Sequence, residues 1–540
     1  MGEAESGIGR GPSPWPDTPT VRRACLALAG IAALWALGFH LAGPVLPYDD
    51  AYISFRYADR LAGGLGPVYN EGERVFGSSS PLYVAWLALW KTLLPSVPTP
   101  DLAVRGNAAW LIAAGAAILR LIRVATGNLA LGAFGAALFL WNPQVVAVSL
   151  GGMETMAFVA LAMASLASGF RGRGTTAGAL AGLALLARPE GLILPPALVL
   201  ALLPRGGRPV IRAALAFLAV AALWVLPATA WFGTPVPHSV LAKARPLYPL
   251  PPLGSLSLFS WWTGRWAFGG LGESLGHLRM LPVILLAIGA AVPWLAQPPG
   301  GDRAGWAIPG AFGALVAFYG LGNPLPFEWY WPCLWAFLLV LLVTGLPALV
   351  PGLVSRASLQ ATLTGLVAAW LLLVTAVPWS RSCDDGPPDQ DLPPASQVAC
   401  DPTRLRILAY REAARRIARE ALPGETVSGP EIGALGYFYP GKVIDACGLV
   451  SPEALPFLPV PPDQRASPID GAISTDFVRA LEPDWVVFIP FFAKASLLRS
   501  SWFLGHYRPA FSVPLPAPCW GSRTVEAYRR VVPGGDPAGP

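Results

Sequence analysis

Two adjacent carboxylates, Asp49 and Asp50, head a charged stretch from Tyr48 to Pro81 in a chain that is only 13% Asp, Glu, Lys and Arg. A carboxylate within hydrogen-bond reach of a hydroxyl accepts its proton as the hydroxyl attacks, so one of the pair is a candidate general base. Asp49 is the first carboxylate after the preceding apolar run and is expected to take that role. Asp50 directly precedes Ala51, where a helix is expected to begin, and an aspartate is a favoured N-cap. The pair is also a candidate ligand set for Mg²⁺ or Ca²⁺. Further along that helix Arg56 and Arg60 are four residues apart and project to one face, while Ile53, Tyr57 and Leu61 form an apolar stripe. Arginines so placed suit the developing charge of an anionic leaving group. They suit lipid headgroups, or a pair with Asp59, equally well.

Other polar groups sit where apolar sequence makes them costly. Arg188 and Glu190 flank Pro189 between two short apolar runs, 175–187 and 191–203, and at the rim of hydrocarbon they need a cavity or each other. Glu154, in Gly151-Gly152-Met153-Glu154-Thr155, is a site candidate or the cap of the helix that follows, where the dipole favours its charge. His238 and Lys243 follow a later apolar span as a binding loop or a solvated connector. Glu328 precedes Trp329 and Tyr330, a pattern that suits hydrogen bonding to a sugar with rings stacked on it, or anchoring in an aromatic belt. The four histidines are far apart, no Cys or His cluster has zinc-ligand spacing, and no GxxxxGK[ST] phosphate loop is present.

The elements that must position these residues are membrane helices. Apolar residues make up 54% of the 540 residues, tryptophans number 21, and the mean hydropathy is +0.51, values of a membrane protein. The net charge of +6 comes from arginines in short loops between apolar runs, which is the positive-inside pattern and not a nucleic-acid footprint. Residues 1–23 read as a disordered cytoplasmic segment and 24–380 as the membrane domain, with the outer loop 48–80 inside it. Runs at 25–47, 104–124, 130–150, 155–170, 175–187, 191–203, 213–231, 280–296, 306–321, 329–350 and 357–378 give about eleven spans, some short and tilted. The helix 82–94 is too short to span and suits the outer interface. Residues 381–540 read as a soluble α/β domain on the outer side, with a helix at 404–422 and strands at 486–488 and 525–528. Cys383, Cys400, Cys447 and Cys519 all fall in that part; a bridge between Cys383 and Cys400 is one candidate pairing.

At Asp49-Asp50-Ala51-Tyr52-Ile53-Ser54-Phe55-Arg56-Tyr57-Ala58 and Gly66 to Val75 the sequence resembles the first outer loop of polytopic GT-C glycosyltransferases, most closely the terminal arabinofuranosyltransferase type. The resemblance continues through Gly152 to Thr155, Ala187 to Gly191, Phe232 to Ala244, Trp329 to Pro332, Glu431 to Tyr437 and Val443 to Glu453. It implies a GT-C-like membrane domain with outer juxtamembrane helices, in a plasma (inner) membrane, followed by an extracytoplasmic domain. It also implies inverting transfer of a sugar, arabinofuranose being one candidate, from a polyprenyl-phosphate donor to a cell-envelope glycan, glycolipid or glycoprotein acceptor. Asp49 and Asp50 would then be catalytic, and Arg56, Arg60, Glu154, Arg188, Glu190, His238, Lys243, Glu328 and Tyr330 would contact donor or substrate. A transporter or flippase of lipid-linked sugars is the alternative, with Arg188 and Glu190 on its path. A non-catalytic receptor is the third reading.

Overall fold

The computed structural model describes residues 15–245, 249–266, 280–296, 303–353, 402–465 and 471–531. The chain divides into two compact units, one of residues 1–44, 104–225 and 253–398 and the other of 45–103, 226–252 and 399–540.

The first unit is built from apolar helices. Among the described residues five helices are long and apolar enough to cross a membrane: Pro19–Ala42, Thr99–Thr126, Gly207–Phe232, Ala304–Gly322 and Glu328–Gly345. The run expected as one span at 130–150 is two helices, Leu129–Trp141 and Pro143–Leu150, bent by 59°. The break has a local cause. Asn142 accepts from the backbone N–H groups of Gln144 and Val145 at 3.0 and 3.2 Å, and Pro143 follows as the first residue of a new helix. Thr155–Phe170 and Gly174–Ala187 are shorter apolar helices. The latter packs through glycines at a spacing of four: a Cβ on Gly174 or Gly178 would lie 2.0 Å from Pro209 O and 1.9 Å from Ala213 O. Small residues at that spacing let helix backbones approach closely in lipid. The expected span at 357–378 and both Cys383 and Cys400 lie outside the described residues.

The second unit joins the charged loop 48–80 to the C-terminal domain. Helix α1 (Asp49–Ala62) begins two residues earlier than Ala51, so Asp50 lies in its first turn and is not its N-cap. Helix α2 (Pro81–Leu93) packs on α1 and leaves Leu89, Trp90 and Leu93 exposed. After the short α3 (His238–Lys243) come α4 (Pro402–Glu420), β1 (Val427–Gly429), α5 (Ile432–Phe438), β2 (Val443–Asp445), β3 (Trp485–Phe488), β4 (Tyr507–Cys519) and β5 (Ser522–Arg530). The sheet order is β2-β1-β3-β5-β4, with β2, β1 and β3 parallel and β3, β5 and β4 antiparallel. The parallel strands are buried throughout, as strands covered on both faces should be. β4 is an edge strand, where its prolines 509, 514, 516 and 518 need no second ladder partner.

Candidate active site

In the second unit, α1 holds the short α5 at both of its ends with opposite charges. Asp49 is buried, and its Oδ2 and Oδ1 accept from the backbone N–H groups of Gly433 and Ala434 at 2.9 and 2.8 Å. These are orphan donors at the start of α5, whose own N-cap makes no side-chain bond. Two turns along α1, Arg56 is 5% exposed. Its guanidinium donates to the carbonyls of Tyr69 at 2.7 Å, Tyr439 at 3.0 Å and Gly441 at 2.8 Å, and to that of Gly436. An anion at the N-terminus of α5 and a cation at its C-terminal end both complement its dipole. Glycine is required at the contact: a Cβ on Gly433 would stand 1.8 Å from Asp49 O, and one on Gly436 1.8 Å from the Tyr69 hydroxyl.

Asp50 is the partly exposed member of the pair. Burial pushes its carboxyl up to about 6; the Lys243 ammonium pulls against that, Asp49 adds to it, and Arg406 and Glu431 act in opposite senses behind them. Asp49 is also raised by burial, against the N–H donors from α5 and the charge of Arg406. Arg406, on α4, donates to Glu431 Oε1. Asp445, at the end of β2, accepts from the backbone N–H groups of Cys447 at 2.8 Å, Leu449 at 2.5 Å and Val450 at 3.1 Å, which shapes the loop 446–450. The His238 ring donates to the Gly448 carbonyl, while its Nε2 is buried with no hydrogen-bond partner. The backbone N–H of His238 donates to Phe76 O at 2.6 Å, and Phe76 stacks on Phe232 at 4.9 Å. Thus α3 is seated between the charged loop 48–80 and the loop after β2, and the charge of Lys243 acts on Asp50.

The first unit holds a separate polar cluster. Arg188 is 4% exposed and donates to Glu154 Oε1 and Glu190 Oε1, each at 2.7 Å. Tyr319 donates to the same oxygen of Glu190 at 2.7 Å, and the Arg188 guanidinium lies 4.6 Å from the Tyr330 ring centroid. Thr155 donates to Trp329 O at 2.8 Å. Four of the sequence candidates therefore meet here, and Arg188 faces two carboxylates at once.

Residues 403–528 match a family described as a domain of unknown function (DUF8728). No curated protein matches the sequence. The archaeal oligosaccharyltransferase AglB from Archaeoglobus fulgidus, in complex with an inhibitory peptide and a dolichol-phosphate, is similar with a TM-score of 0.55 at 12% identity, over 93% of this chain and 80% of AglB. ArnT from Cupriavidus metallidurans, bound to undecaprenyl phosphate, is similar with a TM-score of 0.53 at 14% identity, over 94% of this chain and 97% of ArnT. The fold is of the GT-C type. Similarity to the mycobacterial arabinofuranosyltransferase AftD has a TM-score of 0.45 at 16% identity, over 96% of this chain and 40% of AftD, too slight to bear on the sugar.

Within this fold several expected contacts take another form. Arg56 engages backbone carbonyls with its guanidinium, so it ties α1 to α5 and does not present a free fork to a phosphate. Arg60 faces the exposed Glu71 at 3.4 Å. Glu328 opens the short turn Glu328–Tyr330, outside the hydrogen bonds of Glu190. The two oxygens of Asp49 are engaged, and among the described residues no group of three His, Cys, Asp or Glu side chains is arranged to hold a metal ion. Glu431 and Asp445 lie in the two C-terminal motifs but carried no role in the sequence. Arg406 and Tyr319 gave no signal, one being an arginine on an arginine-rich helix and the other a tyrosine in an apolar span.

Proposed function

We propose that this protein is a membrane glycosyltransferase that moves a sugar from a polyprenyl-phosphate donor to a hydroxyl of a cell-envelope acceptor, with Asp50 as the general base. The observation that carries the reading is the division of labour between the two aspartates. Asp49 accepts two backbone N–H bonds from α5 and positions its neighbour, while Asp50 is partly exposed with a carboxyl near 6, close to the pH at which a base must work. The acceptor hydroxyl loses its proton to Asp50 as its oxygen bonds to the anomeric carbon, and the bond from that carbon to the phosphate oxygen breaks with inversion. The departing polyprenyl phosphate carries the negative charge away, and the Lys243 ammonium, whose charge acts on Asp50, is the cation assigned to stabilise it.

The GT-C fold supports a lipid-linked donor, and the outer side of the membrane is the side on which a nucleotide sugar would not be supplied. Arabinofuranose remains the sugar to test first, on the strength of the outer-loop motif. The test uses the purified full chain in nanodiscs with undecaprenyl-phosphoryl arabinofuranose, mannose and glucose. One of them should give a glycosylated product and free undecaprenyl phosphate, and Asp50→Asn should lower turnover by roughly 10²- to 10⁴-fold. Loss of turnover in Asp49→Asn combined with normal turnover in Asp50→Asn would reverse the two roles.

A further inference from the structure

The β4–β5 hairpin ends in a two-residue turn, Trp520-Gly521, closed by the pairing of Cys519 with Ser522. Both central residues have positive φ, +47° at Trp520 and +75° at Gly521. That is the pattern of a type I′ turn, whose favoured sequence is Asn-Gly. A tryptophan in the left-handed region is strained, and such strain concentrates at functional positions. Trp520 is nevertheless 44% exposed. It is held by the rings of Phe491 and Phe492 at 5.2 and 5.7 Å, and Ser522 Oγ accepts from Phe491 N at 3.0 Å, tying the turn to that loop. The Arg406 guanidinium lies 4.9 Å from the indole centroid. The same arginine pairs with Glu431 and acts electrostatically on both Asp49 and Asp50. An exposed, braced aromatic ring thus lies against an arginine whose charge acts on the aspartate pair.

We propose that Trp520 is the platform on which a sugar ring of the acceptor stacks, its C–H face on the indole and its hydroxyls toward Arg406. This gives the domain of unknown function a role, acceptor recognition, and it rests on the reading of Asp50 as the base. An indole offers a large, rigid apolar face with a polar edge, the combination a sugar ring needs. Arg406 supplies donors to hydroxyls without competing for the proton that Asp50 takes.

The test is binding without turnover: saturation-transfer NMR on the full chain in nanodiscs with the methyl glycosides of arabinofuranose, mannose, galactose and glucose. At least one glycoside should receive saturation from the wild-type protein. Trp520→Asn restores the residue the turn favours while removing the ring, and should weaken that glycoside's binding about tenfold; Trp520→Phe should keep part of it. Equal transfer in wild type and Trp520→Asn overturns the proposal, as does transfer to none of the four glycosides. A Trp520→Asn protein that keeps its glycoside signal and loses only thermal stability also overturns it, since the ring then merely anchors the hairpin. Asp50→Asn should bind the glycoside normally. If Asp50→Asn still transfers sugar, the base assignment fails, and the binding result still decides the role of Trp520.

Discussion

Lys243 and Asp49 act on the carboxyl of Asp50 in opposite senses, and that makes the assignment of the base testable by titration. A base must be ionised to accept a proton, so kcat/KM should rise with pH through a limb near 6 and then level. Lys243 lowers the Asp50 pKa, so Lys243→Met should shift the limb to higher pH. Asp49 raises it, so Asp49→Asn should shift the limb to lower pH. A pH–rate series on the three proteins checks both signs, and shifts in the same direction would show that the limb belongs to another group. At this scale the sequence was legible as to which residues, and not as to which did what. Both aspartates were evident from their place after an apolar run. Which one was capped was not, because the helix whose N–H groups bind Asp49 lies 384 residues further on.

Between elements, the feature that fixes the charged loop 48–80 is the grip of α1 on α5, with Asp49 at one end and Arg56 at the other. Hydrogen bonds to a charged group are worth about 1.5–3 kcal/mol each, so removing a buried guanidinium that serves several carbonyls should cost at least about 3 kcal/mol. Arg56→Met should therefore lower the apparent Tm of the purified protein, and Arg56→Lys should recover little, because an ammonium lacks the planar fork. Unchanged melting in Arg56→Met would mean that the loop is held elsewhere. Long elements were readable in advance: the helix at 404–422 is observed at 402–420, and the strands at 486–488 and 525–528 lie within β3 and β5. Short or punctuated ones were not. α5 is a helix of seven residues that includes two glycines, too brief for a periodic pattern, and β4 is a strand rich in proline that only an edge position allows. The bend at Asn142 was concealed within a continuous apolar run.

Across the molecule, apolar composition and arginine-bearing loops made the membrane class legible, and the order of the motifs pointed to the GT-C fold that the AglB and ArnT comparisons share. Each unit carries its own buried charge arrangement. In the membrane unit Arg188 holds Glu154 and Glu190 together, and removing one partner of a buried ion pair typically costs about 3–5 kcal/mol. Arg188→Met should lower the apparent Tm by several degrees, and Glu154→Gln added to it should restore part of the loss by neutralising one stranded carboxylate. No recovery in the double variant would show that the two side chains are not energetically coupled. The central claim, that Asp50 takes the acceptor proton during transfer from a lipid phosphate, is tested most directly by a single turnover. Purified protein in nanodiscs is loaded with the polyprenyl-phosphoryl sugar it accepts, acceptor is added, and the rate at which free polyprenyl phosphate forms is measured for wild type and Asp50→Asn. The account predicts that both proteins bind the loaded carrier alike while release in Asp50→Asn is slower by roughly 10²-fold or more; release at the wild-type rate from folded Asp50→Asn would contradict it.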